Sequence, residues 1–195
     1  MKDLFIKRFL YYKELGDKTF AQLSDEQMFW QYNEESNSVA IIVKHIAGNM
    51  LSRWTYFLTE DGEKSWRNRD SEFVNNFKNK AEVLEFWEKG WTCLFTALEQ
   101  ITDENISSTI YIRNEAHSVI DAVLRQLAHY PYHIGQIIYI AKMLKNDDWK
   151  TLSIARNKSA EFNQKMISKF DESQENSSPV CFAKSDEVRE DYKSE

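Results

Sequence analysis

Two histidines, His129 and His133, lie four residues apart in the segment LAHYPYHIGQII, residues 127–138. On a helix with about 100° per residue, this spacing places the two side chains roughly 40° apart and one turn apart along the axis. Both imidazoles could therefore bind one divalent metal ion, because neutral ring nitrogens are common metal ligands. The bare pattern is also typical of two ordinary polar residues at the edge of an apolar helix face, so a metal site needs a third donor.

The chain has two other histidines that could complete such a site, His45 and His117. His117 precedes His129 by twelve residues, which corresponds to about 18 Å along one helix. We therefore expect His117 near the start of that helix and not in the site. His45 lies on the polar side of an earlier predicted helix, beside Asn49 and Ser52. Periodicity alone predicts a solvent-exposed His45 and leaves the third ligand open.

The spacing of apolar residues predicts four long helices that would carry these side chains, at about residues 2–15, 38–59, 71–100 and from Ser118 onwards. Gly16 is expected to end the first helix. Ser24 and Gln27 have the spacing of a capping box and predict a short helical turn in the first connection. The apolar rhythm of the last helix continues across Pro131, which predicts one continuous, kinked helix. A break at Tyr130 is the alternative, because proline inside a helix costs roughly 3 kcal/mol.

The remaining segments are shorter or less regular. The sequence TIYI, residues 109–112, favours a short extended piece, and about 155–170 favours a further short helix. Residues 171–195 lose periodicity and are predicted to form a disordered acidic tail. Five glycines and two prolines provide few turns for a β fold. We expect an all-α four-helix bundle with long cross-connections over residues 1–170, followed by the tail.

Composition limits where and with what the protein acts. The net charge is −6, and basic residues are interleaved with acidic ones, so no nucleic-acid partner is expected. No segment reads as a signal peptide or a membrane span, and no membrane partner is expected. Cys93 and Cys181 form no framework of disulfides. Cys93 lies in an apolar stretch and is expected to be a buried structural thiol. A cytoplasmic protein is the simplest interpretation.

Five segments taken together resemble a known family: VKHIAGNM, DGEKSWRNRDSEF, IRNEAHSV, RQLAHYPYHIGQI and LSIARNKSAEFN. In this order they resemble the DinB/YfiT-like superfamily of metalloenzymes, in its branch of bacterial domains of unknown function. The resemblance covers most of residues 1–165. It implies three metal ligands, one on the second long helix and two on the fourth, which correspond to His45, His129 and His133. The chain departs from the family pattern at Pro131, where a small residue with a backbone N–H is usual.

The resemblance also implies a chemistry. Three neutral imidazoles leave at least one coordination position of a divalent ion open, as in catalytic sites. The relatives include thiol-dependent S-transferases and isomerases as well as hydrolases, so we expect activation of a low-molecular-weight thiol or of water. Zinc or nickel is the expected ion, a small molecule the expected substrate, and a homodimer the expected assembly. The alternative is a non-catalytic bundle that mediates dimerisation or partner binding through an aromatic surface.

Polar residues near the predicted ligands are candidates for substrate binding. Gln136 and Arg125 lie within about a turn of a ligand, and Asn49 lies a turn beyond His45. Three further arginines lie in the matching segments and could bind a carboxylate or a phosphate, namely Arg67, Arg69 and Arg113. Ion pairs with neighbouring acidic residues are an equally good interpretation of these three arginines.

Overall fold

The computed structural model of the chain describes residues 1–176, with side chains for residues 1–170. Two compact units are present, Met1–Leu152 and one that begins at Ser153. The first unit contains the five helices α1 (Lys2–Phe20), α2 (Asp25–Phe29), α3 (Val39–Trp54), α4 (Lys80–Leu98) and α5 (Val119–Lys145). The second contains α6 (Ser159–Asn176) within its described part. Residues 177–195 of the predicted tail lie outside the described residues.

The four long helices of the first unit form a bundle, as the sequence predicted. Helix α1 packs against α4 and α5, and α3 packs against the same two helices. Consecutive long helices α1 and α3 therefore occupy opposite corners, as do α4 and α5. The connections between them cross the bundle, which is the non-sequential arrangement expected from the long linkers. No helix in the described part of the chain is long and apolar enough to span a membrane.

Aromatic rings fill the centre of the bundle. The ring of Phe9 from α1 contacts Trp91 of α4 and Tyr130 of α5, with centroids 6.4 and 5.9 Å apart. Trp91 also contacts Tyr130, at 6.1 Å between centroids. All three residues are fully buried. Edge-on aromatic contacts of this kind add to the hydrophobic effect of burying the rings, so helices α1, α4 and α5 are joined at this level.

Side-chain caps fix where the helices begin. The capping box of Ser24 and Gln27 is confirmed at the start of α2. Ser118 caps α5 by accepting a hydrogen bond from the Asp121 N–H, at 3.2 Å. Helix α5 then continues without interruption through Pro131 to Lys145, so the prediction of one helix is confirmed and the break at Tyr130 is wrong.

Three predicted helix limits are wrong. The first helix does not end at Gly16 but continues to Phe20. Gly16 lies inside it, where a Cβ atom would come within 2.6 Å of the Trp87 ring. The third begins at Lys80 and not near Ser71, since the Asn79 side chain caps it by accepting from the Glu82 N–H. The second helix ends at Trp54 and not near residue 59, because the backbone becomes extended at Thr55. Apolar spacing did not detect either the cap or the close contact.

Two connections carry structure that positions the site. Residues Asp70–Phe73 form a 3-10 turn that packs against α3. The TIYI segment is strand β1 (Thr109–Ile112), as predicted, and it pairs antiparallel with β2 (Glu115–Ser118), which the sequence did not predict. The two turn residues, Arg113 and Asn114, both have positive φ, of 56° and 62°, which is typical of a type I′ hairpin turn. Backbone N–H groups of both residues donate to the Asp61 carboxylate.

Helices α3 and α4 approach so closely that one glycine is required between them. A Cβ atom added at Gly90 would lie 2.8 Å from the Cα of Ala47 and 2.9 Å from its Cβ. We expect Gly90→Ala to lower the free energy of unfolding by about 1–3 kcal/mol because the backbones must separate. Urea denaturation measures the change.

Gly135 provides the matched control, since nothing lies within 4 Å of a Cβ added there, in the interior of α5. Gly135→Ala is expected to raise the free energy of unfolding by up to about 1 kcal/mol, the usual gain of alanine over glycine in a helix. A Gly90→Ala variant as stable as the wild type would contradict the close approach of the two helices.

Candidate metal centre

Three histidine rings converge where α3 faces α5. His45 comes from α3, and His129 and His133 come from successive turns of α5. The ring centroids are 5.4 Å apart for His45 and His129, 4.9 Å for His45 and His133, and 4.8 Å for His129 and His133. One nitrogen from each ring lies within 4.8 Å of the others. The group could hold a metal ion.

Each histidine is oriented by an oxygen atom at its Nδ1. The Nδ1 of His45 donates to Oε2 of Glu72 at 2.9 Å. The Nδ1 atoms of His129 and His133 contact Oε1 of Gln126 at 3.3 Å and Oε1 of Gln136 at 2.9 Å. Because an oxygen acceptor at Nδ1 requires the proton there, it leaves each Nε2 with a free lone pair. Partners of this kind fix ligand orientation in metal sites.

The Nε2 atoms of His129 and His133 lie 3.0 Å apart. With both Nδ1 atoms protonated, two lone pairs face each other at this distance, an arrangement that a bound cation would relieve. Two nitrogens bound to one zinc ion at about 2.0–2.1 Å in tetrahedral geometry are roughly 3.3 Å apart. The observed spacing therefore fits a shared ion, and Pro131 between the two histidines does not separate them.

The electrostatic environment keeps two of the rings neutral. Burial, together with the nearby His133 and His45, lowers the pKa of His129 to about 3. Burial also lowers the pKa of His133, against the opposing effect of the hydrogen bond that its Nδ1 donates to Gln136. Since a metal ligand must be the neutral imidazole, both rings are ready to bind at neutral pH without first losing a proton.

His45 is only 6% exposed, so the exposure expected from periodicity is wrong. The 3-10 turn covers it, and the Phe73 ring stacks on the imidazole with centroids 5.1 Å apart. Lys44, next to His45, holds this turn by donating to the carbonyls of Ser71 and Val74. The polar side of α3 therefore faces a folded connection and not solvent.

Glu72 links that connection to the histidine cluster. Its carboxylate, in a residue only 5% exposed, accepts from His45 and forms a two-point ion pair with Arg67 at 2.8 and 3.0 Å. Burial by itself would raise the pKa of this carboxyl group, but hydrogen bonds from His45 and Arg67 bring it below its usual range. Gly48 makes room for the carboxylate, because a Cβ there would lie 2.6 Å from Oε1.

A buried hydrogen-bond chain sets the position of α5 relative to α3 beside the cluster. Trp54 Nε1 donates to the Tyr130 hydroxyl at 3.1 Å, and that hydroxyl donates to Oδ1 of Asn49 at 3.1 Å. Tyr130 is adjacent to His129, and Asn49 lies one turn after His45. Burial raises the pKa of Tyr130, so the phenol stays protonated and remains a donor.

The three residues predicted to bind substrate do not share one location. Asn49 and Arg125 line a cavity of about 250 Å³ that also contacts His45 and His129. Gln136 borders a different groove and orients His133 instead. Their role in substrate binding stays a prediction.

The loop arginines are divided between ion pairs and the cavity. Arg67 pairs with Glu63 and Glu72, and Arg113 pairs with Glu63. Arg69 lies over the ring of Phe73, 5.0 Å from its centroid. All three also line the cavity next to the histidines. Ion pairing therefore describes Arg67 and Arg113, and a position from which an anion could be bound describes all three.

Sequence reasoning missed three residues of this region: Glu72, Gln126 and Arg53, a buried arginine of α3 that lines the cavity. Gln126 precedes His129 by three residues, just as Gln136 follows His133 by three. Residues three apart share a helix face, so this spacing could have identified Gln126 as a partner of His129. Glu72 lies within one of the segments that carry the family resemblance, but only tertiary contacts show its partner. Cys93 is partly buried, and burial raises the pKa of its thiol, which suits the structural role predicted for it.

Comparisons with known proteins agree with this fold. The family described as protein of unknown function DUF1572 matches residues 2–158. A DinB-like protein from Bacillus cereus ATCC 10987 is 15% identical, over 72% of this chain and 90% of the other, with a TM-score of 0.56. YjoA, a DinB-like protein from Bacillus subtilis, is 15% identical over 76% and 96% of the two chains, with a TM-score of 0.49. No curated protein sequence matches the chain.

The fold and the histidine cluster thus define a DinB-like helical bundle with a possible metal site. The chain belongs to the DUF1572 family, whose match covers the whole bundle. The resemblance drawn from the sequence segments is confirmed. The Bacillus cereus structure, at 15% identity, supports the fold alone, so the chemistry of the site has to be argued from its own residues.

The role of Glu72 can be tested by removing its charge. Glu72→Gln should weaken metal binding by about 10–100-fold, the usual effect of losing a partner that orients a ligand. Gly48→Ala should weaken it in the same direction, because the new methyl group displaces the Glu72 carboxylate. Zinc affinity is measured by competition with a chromogenic chelator, after circular dichroism shows that each variant is folded.

Glu63→Gln is the control for this comparison. Glu63 also pairs with Arg67 but, within the described residues, makes no hydrogen bond to a histidine. It should keep nearly wild-type zinc affinity. Equal affinities for the Glu72→Gln variant and the wild type would show that His45 does not depend on this carboxylate.

Proposed function

We propose that this protein is a metal-dependent enzyme in which His45, His129 and His133 bind one divalent ion, zinc or nickel. The observation that carries the proposal is the convergence of the three rings, each with its Nδ1 held by an oxygen atom. The donor set fits a borderline metal ion, because it consists of imidazole nitrogens and includes no hard-cation cage of carboxylates. The substrate is a small molecule.

The protein's contribution is orientation and electrostatics. Glu72 accepts a hydrogen bond from His45 Nδ1 and so makes the Nε2 of that ring a more basic metal ligand. Gln126 and Gln136 hold the other two rings in one tautomer. The three protein ligands carry no negative charge, so a bound divalent ion would keep its full charge and lower the pKa of a coordinated thiol or water. The cavity beside His45 and His129 provides the space in which a substrate could approach.

Metal binding is the direct test. Protein prepared without a metal-binding tag should hold one equivalent of zinc or nickel by elemental analysis. Alanine at His45, His129 or His133 should lower affinity by more than about 100-fold, since each change removes a ligand and not merely its support. His117→Ala is the control, because His117 bonds to Asp121 and lies outside the cluster. A wild-type protein that never holds a stoichiometric ion would remove the enzyme proposal.

The two chemistries can be separated by their need for a thiol. In an assay with electrophilic substrates and zinc, nickel or manganese, an S-transferase turns over only when a low-molecular-weight thiol is added, whereas a hydrolase needs water alone. In either case the His133→Ala variant should lose activity by more than about 100-fold, while His117→Ala keeps it. Activity that is equal in the His133→Ala variant would come from a different site.

A second candidate function is a non-catalytic bundle that forms a homodimer or binds another protein. A groove of about 470 Å³ supports it, because the lining includes Trp30, Tyr32, Tyr139 and Met143. Tyr32 and Tyr139 are 76% and 66% exposed, which is unusual for a cluster of large aromatic residues. If this candidate is right, the triple histidine variant keeps its in-cell phenotype, and Tyr139→Ser abolishes both the phenotype and self-association in sedimentation.

A further inference from the structure

The cavity beside the histidine cluster has a one-sided charge. Its lining contains five arginines and no carboxylate: Arg53, Arg67, Arg69, Arg113 and Arg125. Among the residues whose side chains are described, only Glu63 and Glu72 form ion pairs with any of them, and both of those carboxylates contact Arg67. Arg125 makes no ion pair within the described part of the chain. The positive charge is therefore greater than the neighbouring carboxylates neutralise.

Arg53 is the least satisfied of the five. The residue is only 5% exposed, and its Nε and Nη1 are buried without a hydrogen-bond partner among the described residues. Arginine keeps its charge in proteins even when it is buried, and an unpaired buried charge is strongly unfavourable. The backbone at Gly62 lies directly against this side chain, since a Cβ there would come within 2.9 Å of Arg53 Nη1. The carboxylates of Asp61 and Glu63 act on this guanidinium group only through space. Its Nε–H and Nη1–H groups therefore remain free to donate hydrogen bonds to a bound anion.

The other polar groups of the lining also present donors. The Asn49 Oδ1 is occupied by the Tyr130 hydroxyl, and the Gln126 Oε1 by His129. Each amide therefore has its NH₂ group left over, with no hydrogen bond within the described residues. Both side chains line the cavity and belong to residues that are at most 5% exposed. A ligand that only accepts hydrogen bonds, such as a carboxylate or a phosphate, complements such a lining.

We propose that this cavity binds the carboxylate or phosphate group of a small substrate, with Arg53 as the buried anion receptor and the histidine cluster at the substrate's reacting end. The volume of about 250 Å³ equals that of about eight water molecules. It can hold a short organic acid or the phosphate group of an ester. The assignment of the anion to a substrate rests on the proposed metal-dependent function, but anion binding itself does not require the metal.

The test is calorimetric titration of metal-free protein at pH 7 and low salt with succinate, inorganic phosphate and, as an uncharged mimic, succinamide. We expect succinate or phosphate to bind and succinamide not to bind. Arg53→Met should weaken binding of that anion by about tenfold or more, the effect of losing a charge-assisted hydrogen bond. The same variant should melt no lower than the wild type, because it removes an unpaired buried charge.

Arg8→Met is the matched control, since Arg8 is an exposed arginine of α1 that does not line the cavity. It should keep wild-type anion affinity. Arg125→Met tests the same cavity from an exposed position where folding is not at risk, and it should weaken binding by severalfold. If the Arg53→Met variant does not fold, anion binding in the cavity is tested by comparing Arg125→Met, which should bind more weakly, with Arg8→Met, which should bind as the wild type does.

The outcomes separate the sources of the anion and the two proposals. Binding of succinate alone indicates a carboxylate substrate, and binding of phosphate alone indicates a phosphate ester. Absence of anion binding, equal binding of succinamide, or equal losses in the Arg8 and Arg125 variants would overturn the anion site. Anion binding in a protein that never takes up metal would leave the anion site in place and remove only the metal-dependent function.

Discussion

The buried carboxylate of Glu72 is the interaction on which the candidate site depends. It connects three parts of the chain that are distant in sequence: the 3-10 turn that carries it, Arg67 in the preceding loop, and His45 on α3. A buried carboxylate is stable only when hydrogen bonds and opposite charges replace its lost hydration. Here the donors to the carboxylate are His45 and Arg67, and both of these residues border the candidate site. The carboxylate closes the loop over α3, excludes solvent from His45 and fixes the tautomer of that ring.

The second requirement is that α3 and α5 keep one register, because the ligands come from both helices. Apolar packing alone tolerates small shifts between helices, since many hydrophobic contacts are interchangeable. The hydrogen-bond chain of Trp54, Tyr130 and Asn49 does not tolerate such shifts, because each buried polar atom in it needs its particular partner. This chain lies next to His129 and one turn from His45. The aromatic centre of the bundle supplies most of the hydrophobic burial, and the polar chain specifies the alignment.

The site that results is polar and positively charged, although it lies against an apolar core. Imidazoles and arginines border the cavity, and the carboxylates of Glu63 and Glu72 are engaged by Arg67, Arg113 or His45. Arginines close to a metal centre would repel a cation unless an anion accompanied it. A divalent ion and an anionic ligand would each favour the binding of the other in such a place. On the two proposals, this coupling would account for a cluster of candidate metal ligands beside a buried guanidinium with free N–H groups.

The sequence by itself determined the helical class, the caps at Ser24 and Ser118, and the shared face of His129 and His133, because these depend on local spacing along one helix. Resemblance of separated segments also predicted that His45 joins His129 and His133, and the three rings do converge. Only the tertiary structure decided that His45 is buried, since the group that covers it comes from a turn 27 residues away. For the same reason Glu72 and Arg53 could not be found from periodicity. Their roles arise from which charges the folded connections bring together or leave unpaired, and a helical pattern carries no information about those contacts.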